Sequence, residues 1–215
     1  MEYNLHDRLA VAHAVFACIA TLFTLPIALL VGRYRHTGAI WFKIHALFTG
    51  ITIFLVVVVF VLGIGAVSST HLGTQFSGIH SDLHHRVGLI VFVLFALQGI
   101  LGIVAHKTPS GDLLRRVHVL TGIFAVAGLL GETWEGMHVE WADKSTSKTV
   151  TPQLVQLIFW VFVLVWATLY TVAFVQAVLL KNRGQEMHQM DKCADVKARV
   201  QSKPESERTL SGPSW

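Results

Sequence analysis

Five long apolar runs separated by short polar or basic segments set the pattern of this chain: about Leu9 to Val31, Ile40 to Val67, Val87 to Ala105, Val117 to Leu130 and Leu154 to Leu180. Runs of this length reach across the roughly 30 Å hydrocarbon core of a bilayer at about 1.5 Å per residue. Each is expected to be a helix, because lipid offers no partner for a free backbone N–H or C=O. The fourth is the weakest. Its apolar part stops at Leu130, so it spans only if Gly131 to Met137 completes it. The pattern predicts an all-α, polytopic membrane helix bundle of five transmembrane helices over residues 1–183. The remaining 184–215, with mixed charge, Pro204 and Pro213, reads as a largely disordered cytoplasmic tail with a short helix near Cys193 to Val200. Pro26 removes a backbone donor near the inner end of the first run. A bundle tolerates the resulting bend where a neighbour satisfies the freed carbonyl.

Composition agrees: 53% hydrophobic against 14% charged residues fits a membrane domain better than a compact soluble one. Sidedness follows from the basic residues. Arg33, Arg35, Lys43, Lys107, Arg115, Arg116, Lys181 and Arg183 fall on one side, and only Arg8, Arg86, Lys144 and Lys148 on the other. The richer side is expected to be cytoplasmic, which puts the N-terminus outside and the C-terminus inside. The net charge of +4 then reflects topology and gives no indication of nucleic acid. The N-terminus MEYNLHDR lacks the basic region of a cleavable signal peptide, so the first helix is expected to act as its own insertion signal. Cys18 and Cys193 lie too far apart in this topology to pair. Glu132 to Gln153 reads as a polar outer loop with Trp134 and Trp141 as interface or lid residues, and the fifth helix, without histidine, as packing. No phosphate loop, metal-type cysteine cluster or nucleophile triad supports hydrolytic chemistry.

Candidate chemistry sits in histidines near the starts of four runs: His13, His45, His84 with His85, and His118. Successive helices run in opposite directions. His13 should therefore face His84 or His85 near the outer surface, and His45 should face His118 near the inner one. A lone histidine at a helix end is ordinarily an interfacial or hydrogen-bonding residue, but matched pairs of costly intramembrane groups indicate function. Imidazole pairs between helices suit the two axial positions of haem iron, which favours electron transfer over dioxygen activation. The expectation is a four-helix core in which each histidine pair grips a haem. One turn beyond each histidine stands a small residue, Ala17, Thr49, Gly88 or Gly122, where a flat macrocycle would need room. Gly99, Gly102 and Gly128 extend that room or serve close helix packing. Lys43, Arg115, Arg116 and the outer Arg86 could contact propionates or an anionic donor, although positive-inside topology explains most of the inner cations. Gln98 is a mid-helix amide that needs a partner. His6, His36, His71, His80, His106, His138 and His188 fall in predicted loops or tails, where solvation is the default.

The sequence resembles the cytochrome b561 family, in particular the membrane domain of DOMON-linked fungal and plant proteins. The matching residues are His13 with Pro26 and Arg33, Trp41 with His45, His84 with Gly88 and Gln98, and His118 with Gly122, over about residues 10–136. The family spacing of histidine, glycine and glutamine selects His84 over His85. The resemblance implies two b-type haems, one toward each face. They would carry electrons from a cytoplasmic donor such as ascorbate to an extracytoplasmic acceptor such as ferric iron or monodehydroascorbate. The implied partners are the lipid bilayer, that donor, and an outer acceptor or redox protein; a homodimer is compatible. Two departures stand out: Ala28 replaces a frequent glycine, and no DOMON domain precedes the bundle within this sequence. The alternative is a non-haem membrane transporter or assembly partner using the histidines for proton relay or metal binding. It expects acidic residues inside the helices, and the apolar runs contain essentially none.

Overall fold

The computed structural model describes residues 4–33, 40–69, 83–108, 111–141 and 151–201. Among these nearly every residue is helical and none forms a strand. Helix α1 spans Leu5–Arg33, α2 Ile40–Ser69, α3 Leu83–Lys107, α4 Asp112–Glu135 with a wider π turn Gly136–Glu140 at its end, and α5 Gln153–Gln201. All five are long and apolar enough to cross a membrane. Their outer faces carry side chains such as Phe54, 65% exposed, and Leu164, 64% exposed. In water such faces would drive aggregation, whereas hydrocarbon is a matched solvent for them.

The chain divides into two compact units, Met1–Tyr170 and Thr171–Trp215. In the first, α1 packs along α2, α2 against α3 and α3 along α4, and α1 meets α4 to close a four-helix ring. Its core is a layer of Ala20, Leu25, Leu55, Val56, Val91, Phe95, Ala125 and Leu129. These positions fall midway along α1 to α4, so the best-packed part of the ring is its middle. A second cluster joins Leu22, Met137 and Phe159, which seats the first part of α5 against α1 and the end of α4. The second unit continues α5 as helix to Gln201. Gly184 to Gln201, expected as tail, is therefore helical. The segment is rich in Gln, Glu, Met, Lys, Arg and Ala, and no proline interrupts it before Pro204. Residues 202–215 lie outside the described residues.

Two further features depart from a plain reading of the apolar runs. The fourth helix is completed through Gly131 to Met137 and beyond, so Glu132 to Glu140 is helix rather than loop. Thr133 and Met137 are buried there, which explains why the helix persists past its polar residues. In α1, Ala20–Thr24 forms a π turn directly before Pro26, the local widening that accompanies an interrupted ladder. Pro26 cannot serve the Leu22 carbonyl four residues back. The Trp166 indole Nε1–H of α5 donates to that oxygen at 2.7 Å instead. The same turn aims Thr21 at Thr133 of α4 and Thr24 at Thr52 of α2, each with hydroxyl oxygens 2.8 Å apart. Hydroxyl bonds of this kind link membrane helices without the cost of buried charge.

Candidate functional site

At one end of the ring, α1 and α3 bring His13 and His84 together, with ring centroids 6.1 Å apart and planes at 70°. His13 Nδ1 lies 2.8 Å from the Val59 carbonyl oxygen of α2. A carbonyl can only accept, so Nδ1 carries the proton and Nε2 the lone pair. His84 Nδ1 lies 2.9 Å from Glu132 Oε2 and 2.8 Å from Glu135 Oε2, both on α4. Both are ion-pair distances. Two carboxylates at Nδ1 favour the proton there. Glycine makes the approach possible: a Cβ on Gly136 would stand 3.3 Å from the His84 ring. His85 lies beside His84, with ring centroids 6.0 Å apart.

At the other end, His45 Nδ1 donates to the Ala28 carbonyl of α1 at 2.8 Å, which fixes the same tautomer. A Cβ on Gly32 would meet that ring at 3.0 Å, and one on Gly102 would meet the His118 ring at 3.2 Å. His118 stands on α4 at this same end of the ring. Gln98 of α3 anchors the backbone of this site: its Nε2 donates to the His118 carbonyl at 2.7 Å and its Oε1 accepts from Thr121 at 2.9 Å. His45 and Val59 are about 14 residues apart on α2, so the two histidine levels are separated by roughly 21 Å along the helix.

The small residues expected to flank a macrocycle are placed differently. Gly122 faces the Gln98 amide, which a Cβ there would overlap, and Gly88 faces Glu132, which its Cβ would meet at 3.4 Å. Ala17 is buried and Thr49 half-buried. Arg86, Lys43, Arg115 and Arg116 are exposed, with an Arg115 guanidinium nitrogen 3.9 Å from Asp112. Several histidines expected in loops or tails stand on helices. His6 lies 3.2 Å from Asp7 on α1, and His106 stacks on Phe42 with centroids 3.5 Å apart. His138 stacks on Trp134 at 4.8 Å, and His188 is exposed on α5. His36, His71, His80 and Arg35 lie outside the described residues, as do Lys144 and Lys148. Trp134, assigned by sequence to a loop, also packs on Trp160 at 4.9 Å. The expected near-absence of acids inside the helices is corrected as well. Asp7, 2% exposed, is on α1, and Glu132 and Glu135 are on α4. Glu132 and Glu135 are the site residues that sequence reasoning missed. Their three-residue spacing just past an apolar run, on the same side as His84, was the available signal.

These donors fit a ring-bound iron at the level of its axial positions. Two imidazoles on opposite sides of one metal, with metal–nitrogen bonds of about 2 Å, place their centroids about 6 Å apart. The His13–His84 pair is at 6.1 Å. Metal-binding histidines characteristically donate their second ring N–H to a carbonyl or carboxylate, as His13 and His45 do to carbonyls and His84 is placed to do to carboxylates. A bare ion is served less well: among the described residues no group of three His, Cys, Asp or Glu side chains could hold one. Fold and site together define an all-helical, multi-pass membrane bundle with histidines gathered at two levels. In comparisons with known proteins, no family model matches the chain, and neither a curated protein nor a solved structure does.

Proposed function

We propose that this protein is a dihaem b-type transmembrane electron-transfer protein, with His13 and His84 holding one haem and His45 and His118 the other. The observation that carries the reading is the outer pair, whose 6.1 Å spacing suits a single iron between the rings. Bound there, haem would supply one-electron ferric/ferrous chemistry. The chain's own groups do the rest. The Val59 and Ala28 carbonyls hold His13 and His45 in the tautomer whose Nε2 binds metal. Gln98 fixes the turn that bears His118. The apolar middle layer keeps water from the space between the levels. The resemblance to the cytochrome b561 family and the bias of basic residues support an ascorbate-like donor on the cytoplasmic side. They likewise support ferric iron, monodehydroascorbate or a redox protein as acceptor outside.

The test is direct. Protein purified after expression with ample haem should show a b-type spectrum, reducible by ascorbate, with about two haems per chain. A colourless protein would refute the proposal. Proton relay is the second reading, favoured by the carboxylates around His84. It requires proton flux in liposomes from a haem-free protein.

A further inference from the structure

We infer that Glu132 and Glu135 are positioning residues for His84 that hold the outer haem at a lower midpoint potential than the inner one. This rests on the dihaem reading. The two carboxylates flank one ring nitrogen, at 2.9 and 2.8 Å, and their side chains are only 13% and 31% exposed. Their placement is built into the helices. Gly88 leaves room for the Glu132 carboxylate, and Gly136, next to Glu135, leaves room for the His84 ring. The other histidines lack this backing. His13 and His45 are backed by neutral carbonyls, and His118 Nδ1 has no hydrogen-bond partner among the described residues. An anionic partner draws the Nδ1 proton toward itself and makes the ring a stronger electron donor. Its charge also favours ferric over ferrous iron, because a partly buried site screens little. The nearby Arg86 is exposed, where solvent and salt weaken its opposing effect.

Redox titration of the purified holoprotein tests the inference, with the His45→Ala protein assigning the wave of the outer haem. In the full protein that wave should be the lower of two. Glu132→Gln, Glu135→Gln and the double variant should move it upward while the inner wave stays fixed, which also reports an intact bundle. The double variant should shift the outer ferric/ferrous equilibrium at least tenfold, about 59 mV for one electron. Aspartate at either position should restore part of the shift. If the double variant loses the outer haem, the single variants, each keeping one carboxylate, carry the measurement. Two haems with unmoved potentials in the variants, or an outer wave above the inner one, would overturn the inference and leave the dihaem reading standing. A wild-type protein without haem would overturn both.

Discussion

Trp166→Phe should destabilise the bundle by about 1–2 kcal/mol through a lost hydrogen bond, and that part of the cost should depend on Pro26. The Leu22 carbonyl lies on a residue only 6% exposed, in a segment that lipid surrounds. Pro26 has no N–H to give it, and the indole N–H at 2.7 Å takes that place. Phenylalanine keeps a ring in the packing and removes the donor. A buried acceptor left without a partner costs about 1–3 kcal/mol, and membrane hydrogen bonds measured by double-mutant cycles reach about 1.7. Pro26→Ala restores a backbone N–H one helical turn after Leu22. In that background Trp166→Phe should cost only the lost packing, so the interaction energy should be about 1 kcal/mol. The assay is reversible unfolding in mixed micelles by SDS titration, followed by far-UV circular dichroism, for both single variants and the double. Additivity within about 0.3–0.5 kcal/mol would show that the two residues are not partners and refute the reasoning.

His45→Ala and His118→Ala should each lower haem content from about two per chain to one. His84→Ala should do the same and His85→Ala should not, as read by a haem-to-protein ratio. Gly122→Ala should cost about 1–3 kcal/mol in the same micelle assay, because its Cβ displaces the Gln98 amide from the His118 carbonyl. A Gln98→Ala background should relieve most of that cost. Thr133→Val should cost about 0.6–1.7 kcal/mol by leaving the Thr21 hydroxyl without its partner, and adding Thr21→Val should cost little more.

Much of the architecture was legible because apolar length carries it. Five runs give five helices, and Pro26 marks the place where α1 widens and a neighbour lends a donor. The opposed helix directions also suffice to bring His13 to His84 and to put His45 and His118 at the other end of the ring. What failed was inference from local polarity. Glu132 to Glu140 looked like loop, yet Thr133 and Met137 have partners on α1 and α5 that hold the segment helical. Those partners are distant in sequence, so no window of residues displays them. The same blindness hid Glu132 and Glu135, and with them the carboxylate that Gly88 faces and the amide that Gly122 faces. For Gly184 to Gln201 the expected short helix near Cys193 to Val200 lies within a longer one: the charged stretch before it was taken as disorder although it is rich in helix formers.

Between the two histidine levels, residues 14–32 of α1, 46–66 of α2, 87–105 of α3 and 119–131 of α4 contain no carboxylate, lysine, arginine or histidine, and aliphatic and phenyl groups fill the middle of the ring. For the proposed carrier, an electron crossing that layer travels without a compensating ion. Each turnover would then charge the membrane as a capacitor is charged, with about 2.3 kcal/mol at stake per electron for every 100 mV. In sealed vesicles the flow would throttle itself, and an ionophore would release it.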